Sequence, residues 1–251
     1  MARNKFFWSR RPAYVGVAER KEKAEKSLVK LKKKNEDLKP VFIEDSVIAW
    51  SWWGQSWNMN LERYADFRNR ISRGRSYVLE GSVLDLQIHS GQINALVQGT
   101  RSRPYSVTIQ IERISPVAFQ YIQRACAGKF ESLKDLLAGR FPKALANLFT
   151  HPDNGLFPSP KEIRFSCKCP DSALMCKHVA AVLYGVSTRL DTDPGLLFAL
   201  RQIEIKDLVG QVVKHRHLEL LARAERQSAR VIRDCDLSSL FDIQLDETVP
   251  R

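Results

Sequence analysis

Three cysteines and one histidine fall within the twelve residues Cys167-Lys-Cys-Pro-Asp-Ser-Ala-Leu-Met-Cys-Lys-His178, spaced as C-x-C, six residues, then C-x-H. Thiolate sulfur and imidazole nitrogen are the ligands that a tetrahedral Zn²⁺ takes, and Cys₃His is one of its closed structural forms. The window holds three of the chain's five cysteines, a clustering that argues for metal rather than for a framework of paired disulfides. Cys167, Cys169, Cys176 and His178 are the candidate ligands. With all four positions supplied by protein, none remains for a reacting water, so the expected Zn²⁺ is structural and not catalytic. Two readings compete with it: a redox-active C-x-C pair, and thiols that merely fill a core.

Convergence on one ion makes demands on the backbone. Cys167 and Cys169 are two apart, so in an extended segment their sulfurs share a side. Pro170-Asp171 suits a turn directly after them. On a regular helix Cys176 and His178 would lie about 200° apart. They meet only if Cys176 sits in a non-helical lead-in and His178 in the first turn. The pattern therefore predicts a strand over 162–167, a turn, and a helix over 179–186 whose apolar run Val179-Ala-Ala-Val-Leu-Tyr184 packs onto the body. Lys168 and Lys177 would offset the charge of three thiolates.

The rest of the chain divides by composition. Of the formal +12, residues 1–40 hold a surplus of 8 (13 Lys+Arg against 5 Asp+Glu), which leaves a nearly balanced body. A basic arm can touch polyanions without the body reading nucleic acid. Within it, residues 1–17 mix Arg10 and Arg11 with Trp8, either to bind phosphate and stack on bases or to tuck into the body. Residues 18–38 favour helix, with Glu22 and Lys26 spaced as an i,i+4 pair. Short strands are expected at 41–43 and 47–49. Trp50-Ser-Trp-Trp-Gly-Gln-Ser-Trp57 is a core cluster or a binding surface, and the core is favoured because large aromatics are mostly buried. A helix is expected over 55–69.

Arg68, Arg70, Arg73 and Arg75 flank Gly74 in what reads as a polar connection. A leading strand at 77–80, then strands at 83–88, 93–97 and 105–111, would make an antiparallel meander. Arg101 and Arg103 sit in the loop before the last of these. Arg70, Arg73, Arg75, Arg101 and Arg103 are candidate nucleic-acid contacts, although a leading strand would put Arg75 at one end of the meander and Arg101/Arg103 at the other. Ser115-Pro116 opens a helix to 127. Helices are expected at 131–138, 141–149, 193–201, 203–208 and 212–234, and 237–246 alternates apolar and acidic residues. Cys126 and Cys235 read as structural or free thiols, His215 and His217 as solvent-facing.

No apolar run approaches the ~20 residues of a membrane helix, and the charged N-terminus lacks the apolar core of a signal peptide, which predicts a cytoplasmic protein. No paired carboxylates in a motif, Gly-rich phosphate loop or nucleophile with a base is visible, so an enzyme is not expected.

C-x-C-x₆-C-x-H followed by Val-Ala-Ala-Val-Leu-Tyr resembles the SWIM zinc finger, a module of bacterial relatives of SNF2-type ATPases, of Mutator-type plant transposases and of some eukaryotic kinases or ubiquitin-related proteins. Trp53-Gly-x-x-Trp57, Ser72-Arg-Gly-Arg-Ser-Tyr77, Val83-Leu-Asp-Leu86 and Asp193-Pro-x-Leu-Leu-Phe-x-Leu-Arg201 resemble stand-alone bacterial SWIM proteins, so that the resemblance covers about residues 40–210. It implies one Zn²⁺, binding of DNA or protein, and an SNF2-type ATPase as partner, and it implies no catalytic residues. The expected fold is α+β: a basic, partly helical arm (1–40), an α+β unit with the Trp cluster and β-meander (41–150), a SWIM finger (151–190), and C-terminal helices with an acidic tail (191–251).

Overall fold

Apolar residues alternate at Ile93, Ala95 and Val97 and again at Val107, Ile109 and Ile111, and all six are buried. This period of two gives a sheet with one face on the core and one in water. The computed structural model describes residues 16–63, 68–126, 133–171 and 173–208. It shows β1 (Val83–His89), β2 (Gln92–Val97) and β3 (Tyr105–Ile111) as the expected meander, and β4 (Ile163–Cys167) as its fourth member. The order is β1-β2-β3-β4, antiparallel throughout. Register places Ile163 opposite Ile111 and Cys167 opposite Val107.

The helices are α1 (Val17–Lys32), α2 (Trp52–Glu62), α3 (Arg68–Leu79), α4 (Pro116–Cys126), α5 (Leu133–Leu137), α6 (Lys143–Phe149), α7 (Lys177–Thr192) and α8 (Gly195–Leu200), and residues 205–208 are helical too, within the helix expected at 203–208. The fold is α+β, as expected. The chain's architecture centres on α7, which touches all four strands on one side and packs α2 and α3 on the other. A helix covered on both sides must be apolar all round, and Val179, Ala180, Ala181, Val182, Leu183, Tyr184 and Val186 are all buried. Two glycines let the partner helices approach. A Cβ on Gly74 of α3 would overlap Ala180 and come within 2.8 Å of the Ala181 nitrogen. A Cβ on Gly54 of α2 would come within 2.8 Å of the Ser187 carbonyl and overlap the Asp191 carboxylate. That carboxylate, buried at the end of α7, accepts from the backbone N–H groups of Trp50 and Ser51 and from the Ser51 hydroxyl. Ser51 in turn caps α2 by accepting from Gly54 N–H.

The structure corrects several expectations. Residues 77–79 are the end of α3 and not a leading strand, and 68–76, expected as a connection, are the rest of that helix. Gly81, at φ +70°, reverses the chain into β1 where a side chain would be strained. No strand forms at 41–43 or 47–49. Residues 39–41 instead run along the free edge of β1 through Val41 N–H to the Val83 carbonyl and Leu86 N–H to the Lys39 carbonyl. Helix α2 starts at Trp52, three residues earlier than expected. Trp53 and Trp57 are fully buried, with their indole N–H groups donating to the carbonyls of Leu137 (3.0 Å) and Leu183 (2.8 Å), while Trp50 is exposed. Trp52 is partly buried against Phe141. The Glu22–Lys26 pair forms on α1. The expectations for 1–15, for 212–234 and 237–246, and for Cys235, His215 and His217 lie outside the described residues. No helix among the described residues is long and apolar enough to cross a membrane.

Arg201, 1% exposed, locks the segment after α8 to the sheet by donating to the Glu112 carbonyl and the Glu162 carboxylate. Burial disfavours a charged Glu162, but the Ser159 backbone N–H and the Arg201 guanidinium outweigh it and hold its carboxyl below the usual range.

Two outcomes follow from these contacts. Gly74→Ala is expected to lower stability by about 1–3 kcal/mol through overpacking, read as a lower urea midpoint at unchanged helix content. Glu162→Gln leaves a buried cation short of its partner, with an expected loss on the order of 3 kcal/mol at pH 7. The folded Glu162 carboxyl titrates below its unfolded value of about 4.3. Its contribution is therefore complete above that value and is lost as pH falls through the folded pKa. Urea titrations across pH should show the gap between wild type and variant closing in acid.

Candidate metal centre

The four candidate ligands arrive from two elements. Cys167 ends β4, and Cys169 follows it in the turn. Cys176 is the non-helical N-cap of α7 (φ −81°, ψ 168°), and His178 is the second residue of that helix. This is the lead-in geometry that the C-x-H spacing demanded. The three sulfurs and one imidazole nitrogen lie within 4.8 Å of one another. His178 presents Nδ1, at 3.8 Å from Cys176 Sγ and 4.0 Å from Cys167 Sγ. A tetrahedral ion with bonds of about 2.3 Å to sulfur and about 2.0–2.1 Å to nitrogen spaces its ligand atoms roughly 3.5–3.8 Å apart. The observed spread is a slightly open version of that figure.

The cluster is also prepared for negative charge. Neighbouring backbone N–H groups favour negative charge on the sulfurs: that of Cys169 on Cys167, that of Asp171 on Cys169 and that of Val179 on Cys176. The Cys167 thiol beside it holds Cys176 below the usual thiol range, with help from His178 and the helix N–H against the cost of burial. Cys176 in turn pushes Cys167 up, and burial pushes up Cys169. Cys176 sits at the N-terminus of a helix, where the dipole also favours a thiolate. A Cys₃His group of this shape can hold a metal ion. The buried Cys126 thiol, pushed up to about 12 by desolvation, is an inert core residue remote in role from this group.

Neighbouring residues hold the cluster from two directions. On one side α3 presents Arg70, Arg73 and Tyr77 along one face, at i, i+3 and i+7. Arg70 pairs with Asp171 at 3.2 Å and so ties down the loop between the second and third cysteines, while Asp171 also accepts from Ala173 N–H. Tyr77 meets the His178 ring edge-on at 5.5 Å and carries the Lys177 ammonium 4.9 Å above its own ring. Arg73 is exposed between these two contacts. On the other side Tyr105, which starts β3, tilts against His178 at 4.6 Å and carries Arg101 at 5.9 Å. Arg103 is exposed in the same loop. Arg75 turns away toward the Tyr184 hydroxyl, whose pKa is raised by burial and by Glu62. Because 77–79 is helix and not a leading strand, the two arginine-bearing segments border His178 through Tyr77 and Tyr105, while Arg75 itself faces Tyr184. Sequence reasoning did not single out Tyr77 and Tyr105 as neighbours of the site, nor Asp171 as the anchor of its loop. Only the turn-forming Pro170-Asp171 pointed toward the loop that Asp171 anchors.

Over 206 residues the chain is 34% identical to the Mycobacterium tuberculosis (strain ATCC 25618 / H37Rv) protein Rv2102, described as uncharacterized, across 81% of this chain and 74% of that one. The chain belongs to the Rv2102 family. No family model matches it, and no solved structure does. For this member of the Rv2102 family the metal-competent cluster is the chemically distinctive feature of the described residues.

Cys176→Ser is expected to abolish metal retention and to raise hydrogen exchange across 163–190, since such an ion contributes folding free energy directly. Thiolate ligands must be deprotonated, so the metal should be released as pH falls. Titration of the loaded protein with a chromophoric chelator across pH reads both effects.

Proposed function

We propose that the chain is a zinc-binding, non-catalytic interaction protein of the SWIM type that serves as an adaptor for a DNA-dependent, SNF2-type ATPase. The observation that carries the proposal is the closed Cys₃His group, whose four ligand atoms lie within 4.8 Å of one another. Three thiolates and an imidazole suit Zn²⁺ over the oxygen-seeking Mg²⁺ or Ca²⁺. Four protein ligands leave the ion no open position for chemistry, so its work is to fix β4 to α7. The motifs Trp53-Gly-x-x-Trp57 and Arg73-Gly-Arg75 then have a packing role: their glycines admit α2 and α3 onto the helix that bears the metal. This supports a scaffold that presents surfaces and no reaction centre. Metal analysis should find one zinc per chain. Affinity capture from the native cell should recover an SNF2-type ATPase, and its absence would count against the adaptor role.

A second reading, direct contact with nucleic acid, gains support from one arrangement. Lys177 and Arg101 stand on rings that flank His178, and exposed Arg73, Arg103 and Lys168 lie on the adjoining segments. The nearby acids Glu80 and Asp171 are engaged by Arg20 and Arg70. Tyr77 and Tyr105 are buried beneath their cations, so phosphate and not base stacking is the chemistry this surface offers. DNA affinity should fall linearly with salt on a log–log scale, with a shallower slope for Lys177→Ala combined with Arg101→Ala. An unchanged slope would remove this surface from the reading.

A further inference from the structure

One polar atom at the metal centre has no explained role. His178 is 4% exposed, and its second ring nitrogen, Nε2, has no hydrogen-bond partner among the described residues. Metal-ligating histidines almost always donate that N–H to a carboxylate, a carbonyl or water, which fixes the ring and raises its basicity. Here the surroundings are carbon. Tyr105 tilts over one side of the ring and Tyr77 meets it edge-on. The third wall is Gly99: a Cβ built there would come within 2.8 Å of Nε2 and would overlap the Tyr105 ring. The Gly99 carbonyl is taken by the Gln98 side chain, which also bonds the Arg101 carbonyl and so holds the loop in place. Gly99 does not have the positive φ that favours glycine. What the position requires is the absence of a side chain.

We propose that Gly99, Tyr105 and Tyr77 form a positioning cage that commits His178 to bind the metal through Nδ1 while its proton stays on Nε2. The ring cannot flip to offer Nε2 without turning its body into the Tyr105 and Gly99 walls. Orientation that other metal centres obtain from a hydrogen bond is obtained here from shape. Aromatic faces carry partial negative charge, so the rings also make a tolerable, weak environment for an N–H. A residue before the β3 loop, far from the finger in sequence, thereby sets which atom meets the ion. The inference rests on the metal-binding reading and adds the atom and the walls that select it.

The decisive measurement is a long-range ¹H–¹⁵N spectrum of the full chain, labelled at histidine and loaded with Zn²⁺. His178 should show a protonated Nε2 and a metal-bound Nδ1. Coordination through Nε2 overturns the cage whatever else is found. A chain that takes up no metal overturns the metal reading itself, a different outcome. Variants supply the second arm. Gly99→Ala should weaken Zn²⁺ about 10–100-fold, the range typical for loss of outer-shell support, in competition with a chromophoric chelator. Tyr105→Phe keeps the ring and should bind as the wild type does. Near-UV circular dichroism checks that each variant is folded. A folded Gly99→Ala protein with wild-type affinity and tautomer would also overturn the proposal, and if that variant does not fold, the tautomer of the wild type decides alone.

Discussion

Helix α7 is covered by the sheet on one side and by α2 and α3 on the other, and the remaining structure depends on that double burial. Helix interiors satisfy their own backbone hydrogen bonds, so an apolar helix can sit at the centre of a fold without orphaned polar groups. Its ends are the difficulty, because the first N–H and last carbonyl groups lack partners. At the N-terminus the N-cap is Cys176, a candidate metal ligand whose side chain makes no capping hydrogen bond. Near the C-terminus Asp191 faces outward from the helix to the start of α2 and gathers three donors. The metal end and the carboxylate end thus fasten one rod to two different parts of the molecule.

Close approach governs the lateral contacts. Gly74 lies against Ala180 and Gly54 against Ser187, so α3 and α2 reach the α7 backbone nearly unhindered. Trp57 uses that proximity to donate to the Leu183 carbonyl, and Tyr184 reaches back to Glu62. These few polar contacts fix the rotation of α7 about its axis. That rotation determines where His178 faces, so packing far from the metal contributes to its geometry.

The Cys₃His cluster was legible because few residue types bind zinc in such a spacing, and the lead-in geometry at Cys176 follows from helical pitch. The meander was legible because β2 and β3 alternate strictly. Helix α3 was not, since Arg68-Asn-Arg-Ile-Ser-Arg-Gly-Arg-Ser has a glycine and few apolar residues. Only Ile71, Tyr77 and Val78 of its apolar side chains are buried, and its fit comes from the glycine that local propensity counts against it. Tertiary contact with Ala180 overrides that propensity. Residues 41–43 carry strand-like composition, yet the stretch 39–43 makes only two backbone bonds along β1, from Val41 N–H and to the Lys39 carbonyl, too few to extend a ladder. Tyr105, read as a strand residue, is one, and its second role could not be read from a pattern that knows only in and out.

The outermost strand has a consequence for how the protein fails. Strand β4 is five residues long and is joined on one edge to β3, while its last residue is a candidate ligand. Without an ion, what holds β4 is the short ladder and the Arg201–Glu162 lock. If the strand peels away, β3 is left with an open edge carrying Val107, Ile109 and Ile111. Unpaired, alternating edges of that kind recruit other chains. An ion held by the Cys₃His group would therefore also guard this seam against self-association.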